Sequence, residues 1–320
     1  MAGTAKLNLI WQTSKGVATE FEFEYITEVL FKDFDTHFIF DHGTYNTVAD
    51  NAVIIYSNDQ KHVSPEFIRY LNEFGKKNFR FFLLHLSNEN LQHDSWYYAK
   101  ANYVFRNYYD PAINNKNVFY IPLGFKTGYL RKDRPLADCG NRSLSAVFMG
   151  HPKSDRIELI EELEKLDAYY VHKTNTFNCP TALTQEECIE IYQRTKYAPC
   201  PMGNVHPDSF RLCESLEWGC IPVVRYFKGE EYFKNVFGQH PFKVVNSWSE
   251  IHDIIAEDNY CERSGQVQKW YADFKRDLKL KIRDIIENST FVPDRKKRLL
   301  PYLNTVAYNF SKKINALRGK

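Results

Sequence analysis

The chain has no apolar run of about 18 residues, so the sequence offers no membrane span. Its opening stretch, Met1 to Gln12, holds one lysine and too short an apolar run for a secretory leader. Excess charge is nearly absent, +2 at pH 7, which removes the general electrostatic case for nucleic acid. Basic runs such as Arg295-Lys296-Lys297-Arg298 read as solvated helix faces. Cysteine occurs seven times, never as CxxC and never in a Cys/His spacing that builds a zinc site. An odd number of thiols, several inside apolar runs, predicts a reducing compartment and no disulfide framework. What remains is a cytoplasmic protein, or a soluble domain separated from its anchor.

What is present is globular. The 320 residues are 43% hydrophobic and 26% charged, enough for two domains. Aromatics reach 16%, which suits broad carbohydrate clefts as well as ordinary cores. Short apolar runs alternate with helical periodicity: Leu7 to Trp11, Thr36 to Phe40, Ala52 to Tyr56, Phe79 to Leu86, Tyr103 to Arg106 and Val118 to Ile121 read as strands. Helical patterns run from Glu20 to Phe31 and from Pro65 onward. The rhythm breaks over Pro122 to Arg142, restarts at Leu144 to Met149, and ends in a charged helical stretch from Gln266 with a break near Pro293. The expected class is α/β: two Rossmann-like domains facing a central cleft, with a helical C-terminal tail. The boundaries are placed at 1–125, a linker over 126–142, a second domain over 143–290, and a final helix over 291–320 that packs back on the first domain. No internal repeat is visible.

The segment from Cys200 to Val224 carries the densest chemistry. It leaves a strand, passes through a loop with Pro201 and Gly203, and enters a helix that Asp208 or Ser209 can cap. Open amides at such a helix start make a phosphate site. On a helical wheel Arg211, Glu214, Ser215 and Trp218 share one face, and Ser209, Leu212, Cys213 and Leu216 share the opposite face, the expected core side. An arginine can grip a diphosphate with paired hydrogen bonds, and a carboxylate suits the two hydroxyls of a ribose. In isolation the same pair is an ordinary surface ion pair.

This segment resembles the exostosin family of glycosyltransferases. The matching positions are Pro201 and Gly203, then Ser209, Arg211 and Glu214, then Gly219 to Val223. A second patch, Val147-Phe148-Met149-Gly150 followed by Lys153, Ser154 and Arg156, looks like the family's Phe-x-Gly turn and basic residue. A third, His85 to Glu89 with Phe105-Arg106-Asn107-Tyr108 and Ile121 to Gly124, is similar to the ribitol xylosyltransferase branch. The sequence departs from that branch at Asn88, where the pattern has Asp.

The resemblance implies a GT-B enzyme that inverts the anomeric centre, holds a UDP-sugar on its C-terminal half and needs no metal or permanently bound cofactor. UDP-xylose is the expected donor and a glycan hydroxyl the acceptor. Arg211, helped by Lys153, Arg156 and the helix start at Asp208, would meet the diphosphate. Gly150, Ser154, Pro201, Gly203 and Ser209 would complete the donor site, with Glu214 on the ribose. Glu89, at a strand end on the acceptor side, is the expected base, with His85 and Asp59 as alternatives. Arg106 would hold an anionic acceptor or a phosphate.

Other readings find less support. Asp33-Phe34-Asp35 spells the DxD of a metal-dependent transferase, but lies in the half without the donor motif. No GxGxxG follows the first strand, as a dehydrogenase-type epimerase would need, and nothing marks the cofactor lysine of a phosphorylase. A catalytically inactive glycan- or nucleotide-binding protein on the same fold is the remaining alternative, with Asn88 pointing its way.

Overall fold

The computed structural model describes residues 6–13, 16, 20–57, 63–91, 94–176, 179–257 and 259–295. Two parallel sheets organise them. The first contains β1 (Lys6–Trp11), β2 (Asp35–Phe40), β3 (Ala52–Ser57), β4 (Phe81–Leu86), β5 (Tyr103–Arg106) and β6 (Val118–Tyr120) in the order β2-β1-β3-β4-β5-β6. Strand β4, Phe-Phe-Leu-Leu-His-Leu, is buried along its whole length, as a central parallel strand covered on both faces must be. The second sheet contains β7 (Leu144–Gly150), β8 (Tyr169–Lys173), β9 (Thr195–Pro199), β10 (Ile221–Arg225) and β11 (Lys243–Val245), ordered β11-β10-β9-β7-β8.

Counted from its own first strand, each sheet begins 2-1-3-4-5. The architecture therefore repeats although the sequence shows no repeat, because a fold needs only the same succession of apolar and helical stretches. In each half the order reverses beside the first strand, between β1 and β3 and between β7 and β9. Crevices open at such reversals, outside the carboxyl ends of the strands.

The helices follow the sequence pattern with local departures. Helix α1 starts as an α-turn (Phe23–Tyr25) and widens into a π-helical stretch (Ile26–Leu30). Thr27 Oγ1 donates to the Phe23 carbonyl at 2.9 Å, a side-chain bond into the ladder of the kind that accompanies such a bend. Helix α2 (Pro65–Lys76) has Pro65 in its first turn and Ser64 as its cap, accepting from Phe67 N at 3.1 Å. Helices α3 (Asp155–Leu163), α4 (Gln185–Gln193) and α5 (Phe210–Glu217) cover the second sheet with the short α6 (Lys234–Phe237) and α7 (Ile251–Ala256).

The charged tail is one 29-residue helix, α8 (Tyr260–Asn288), beginning earlier than its periodicity suggests. It packs beside β10 and α5 and reaches α1 of the first half. Lys275 pairs with the buried Glu217 at 2.5 Å, and Lys279 lies 3.6 Å from Asp33. The helix expected over 291–320 lies almost wholly outside the described residues.

Two expectations are corrected. Cys139 and Cys261 form a disulfide across 122 residues, joining the start of α8 to the stretch before β7. The thiol count and spacing gave no sign of it, and the reading of a reducing compartment loses its ground. Among the described residues no helix is long and apolar enough to cross a membrane. Second, α5 does not divide into a core face and an open face. Ser215 is fully buried, and Glu214 and Trp218 are buried as well. The connection through Tyr129, whose carbonyl accepts from Trp218 Nε1 at 3.0 Å, lies over the side that the wheel left open.

Candidate active site

At the reversal between β7 and β9 the loops after both strands face the start of α5. They enclose a cleft of about 390 Å³ that also receives residues of the first half. Gly150 ends β7 with φ 145°, and a Cβ there would lie 3.0 Å from Arg211 Nη2. The bare backbone lets Arg211 lie across the strand end, donating to the Met149 carbonyl at 2.9 Å with its guanidinium over the Phe148 ring. Gly203 is packed more tightly, against the Glu89 carboxylate and the Asp208 carbonyl.

Arg156 reaches the same place from α3. Its Nε and Nη2 donate to the Met202 carbonyl at 3.1 and 2.7 Å, and Nη2 also reaches the Gly203 carbonyl at 2.9 Å. Burial and then the neighbouring Arg211 push its pKa down to about 10. Lys153 is also lowered, by burial and then by Arg156, and bonds to Asn204 Oδ1. Burial comes first in both shifts and the neighbouring cation second, so an anion placed among these groups, whose present partners are carbonyl and amide oxygens, is favoured.

Glu214 faces the cleft one turn along α5 with its Oε1 lacking any partner. Burial raises its pKa, opposed by Lys126 and then Arg211. An unpaired buried carboxylate oxygen at a cavity wall is an acceptor waiting for a donor. Ser209 stands at the cap position of α5, yet its Oγ is unpaired and makes no capping bond. Nor does Asp208 cap the helix: it is buried and accepts from Tyr232 Oη at 2.8 Å. Burial, with Glu89 adding to it, pushes the Asp208 pKa up to about 7. The expected side-chain cap is therefore absent, and the start of α5 faces the cleft without one.

Glu89 crosses from the first half. Its carboxylate accepts from Asn204 N, from Asn204 Nδ2 at 2.9 Å and from Val205 N at 3.1 Å, tying the loop after β4 to the loop after β9. Of the residues singled out in the sequence, Gly150, Lys153, Arg156, Gly203, Ser209, Arg211, Glu214 and Glu89 line this cleft. Ser154, at φ 51°, and Pro201 do not line it. His85 and Arg106 are buried within the first half, where Arg106 Nη1 donates to Tyr98 Oη at 2.7 Å and lies 3.0 Å from His85 Nδ1. Neither lines the cleft, so Arg106 does not reach an anion there. Asn88 is spoken for by the same cluster: with its amide turned, Oδ1 accepts from Arg106 Nη2 at 3.0 Å. Asp59 lies outside the described residues.

Sequence reasoning missed Lys126 and Tyr129 and gave Tyr108, named in the Phe105–Tyr108 patch, no role of its own; all three line the cleft. Lys126 follows the Pro122-Leu-Gly124 turn after β6, and so sits at a strand's carboxyl end, the signal that could have found it. Tyr108 follows β5 at φ 59°, a strained conformation for a non-glycine residue. Among the described residues, no group of three or more His, Cys, Asp or Glu side chains is placed to hold a metal ion.

Residues 139–291 match the model of the RXYLT1 C-terminal domain family. Ribitol-5-phosphate xylosyltransferase 1 of Mus musculus is 22% identical over 303 residues, covering 79% of this chain and 65% of that protein. The Homo sapiens protein of the same name is 24% identical over 224 residues, covering 58% of this chain and 48% of its own length. The chain thus spans between about half and two-thirds of these curated relatives. The crystal structure of an alpha1,3-fucosyltransferase aligns over 92% of this chain and 94% of its own at 12% identity, with a TM-score of 0.50, which shows the shared fold. This chain has the two-domain GT-B fold, its residues 139–291 match the RXYLT1 C-terminal domain model, and its curated relatives carry the name of the ribitol xylosyltransferase branch that the patch of His85 to Glu89, Phe105 to Tyr108 and Ile121 to Gly124 resembles.

Proposed function

We propose that the chain is an inverting, metal-independent glycosyltransferase that moves a sugar from a UDP-sugar to a hydroxyl of a glycan acceptor. The observation that carries this reading is the pairing of Arg156 and Arg211 at the β7/β9 reversal, with carbonyl groups as partners, beside the unpaired Glu214 Oε1. Arg211, Arg156 and Lys153 would receive the diphosphate and stabilise the charge that grows on it as the sugar leaves. Glu214 would accept from the ribose hydroxyls. With side-chain cations in that role, the leaving group needs no divalent ion.

UDP-xylose is the first donor to test, because the mouse and human relatives carry xylosyltransferase in their names. Those names also make a ribitol phosphate the first acceptor to test. The relatives' shared length is partial, so donor and acceptor both rest on experiment.

The test is UDP release from a panel of UDP-sugars, with a chelator present, for the wild type and Arg211→Ala. Release from one sugar, unaffected by chelator and reduced at least about 100-fold in the variant, is the expected result. UDP binding with no turnover of any donor would favour an inactive nucleotide-binding protein. Absence of UDP binding would remove the donor site itself.

A further inference from the structure

A second cavity, of about 210 Å³, opens at the other strand-order reversal, between β1 and β3. Trp11 and Thr13 reach it from the end of β1, Ser57 from β3, and Leu86 and Ser87 from β4. Tyr108, Leu123 and Phe210 line both this cavity and the donor cleft, so the two are neighbouring chambers. Phe210 is the first residue of α5 and stacks on Phe21 with ring centroids 6.3 Å apart. Among the described residues no lysine, arginine or histidine lines the second chamber. The one carboxylate among the described lining residues is Glu22, immediately before α1 and 8% exposed.

Resting on the glycosyltransferase reading, we infer that this chamber holds the reacting end of the acceptor, an uncharged polyol or sugar, and that Glu22 accepts the proton of the attacking hydroxyl. The acceptor oxygen forms its bond to the anomeric carbon. The bond from that carbon to the diphosphate breaks, its electron pair leaving with UDP, and the hydroxyl proton passes to a Glu22 oxygen and later to water.

Four features agree. The chamber occupies the crevice position that the donor cleft occupies in the other half. Aromatic walls with a few hydroxyls suit a sugar or polyol, whereas among the described residues a phosphate here would lie beside a carboxylate without a counter-cation. Ser87 and Tyr108 both take positive φ, 63° and 59°, where such strain is concentrated at working sites. Burial raises the Glu22 pKa to about 7, suiting a base that must hold and release a proton near neutrality. Facing it, Tyr108 is the other titratable group among the described lining residues, and a neutral phenol does not oppose the transfer. Glu89, by contrast, is already held by three donors from the donor loop.

The experiment compares wild type, Glu22→Gln and Glu89→Gln in two readouts. One is UDP affinity by calorimetry; the other is turnover of the donor found above, with water or ribitol as acceptor, between pH 5.5 and 9. The expected result for Glu22→Gln is UDP affinity within about twofold of wild type, turnover lowered about 100-fold or more, and loss of the rise in kcat near pH 7. In addition, ribitol should compete for the acceptor site at least as well as its 5-phosphate. Turnover in Glu22→Gln within threefold of wild type, or the same pH rise in it, overturns the inference while leaving the donor site standing. Tenfold tighter competition by the phosphate ester overturns the uncharged chamber. A wild type that binds UDP yet turns over nothing at any pH overturns it too. A wild type that fails to bind UDP brings down the donor reading, and the inference with it.

Discussion

Arg211, Glu214 and Asp208 sit within two turns of chain yet answer to different neighbours. Arg211 lies on a carbonyl and a ring, Glu214 faces the cleft with one oxygen unpaired, and Asp208 is buried in the cleft wall and accepts from Tyr232. Glu214→Gln keeps the shape and one acceptor oxygen but loses the charge. We expect UDP affinity to fall about tenfold by calorimetry, the scale of one charge-assisted hydrogen bond. Thermal stability at pH 8 should not fall, since a buried carboxylate is being neutralised. Asp208 gives a pH test. Its native pKa, about 7, stands above the 3.8 of an ordinary aspartate, so the native state holds a proton that the unfolded chain releases. Stability from this group is therefore complete at acid pH and is lost as pH rises through about 7. Asp208→Asn removes that loss, and melting curves should show a larger gain at pH 8 than at pH 5. Equal gains at the two pH values would contradict the assignment.

At the scale of elements, the strands were readable because each is a compact apolar run: of the seven runs read as strands, Tyr103 to Arg106 keeps its bounds and the other six shift by one or two residues. What periodicity could not supply was covering by distant chain. Helix α5 shows one apolar face in isolation, and the second is covered by the Tyr129 region and by α8, which no local pattern announces. The gathering of Gly203, Arg211 and Glu214 at one cleft was legible for a different reason: they keep a spacing that a strand, turn and helix require. Glu22 was invisible, because a lone Glu before an irregular helix has no spacing to betray it; only the fold brings β1, β3 and β4 round it. The Gly150 turn belongs to this scale as well. Gly150→Ala adds a methyl 3.0 Å from the Arg211 guanidinium at φ 145°, so the turn or the arginine must move. UDP affinity should drop about tenfold or more, with a Tm loss of a few degrees from backbone strain. Unchanged affinity would mean that Arg211 does not need this seat.

Across the whole molecule, the Cys139–Cys261 disulfide and α8 tie distant chain together. Alkylation of the denatured, unreduced protein should label five cysteines (Cys179, Cys188, Cys200, Cys213 and Cys220) and all seven only after reduction. Seven labelled thiols without reductant would refute the bridge. Closing so long a loop stabilises by about 4–5 kcal/mol on the chain-entropy model, so Cys261→Ser should lower Tm by several degrees. The chain also passes between the halves twice: once along the connection from β6 to β7, and again where α8, about 44 Å long, lies against α1. Glu89 on the Asn204 loop and Phe21 on Phe210 add two further ties beside the cleft. With fastenings on several sides, Tyr108, Leu123 and Phe210 form a common partition between the two chambers, so a substitution in any of them alters both.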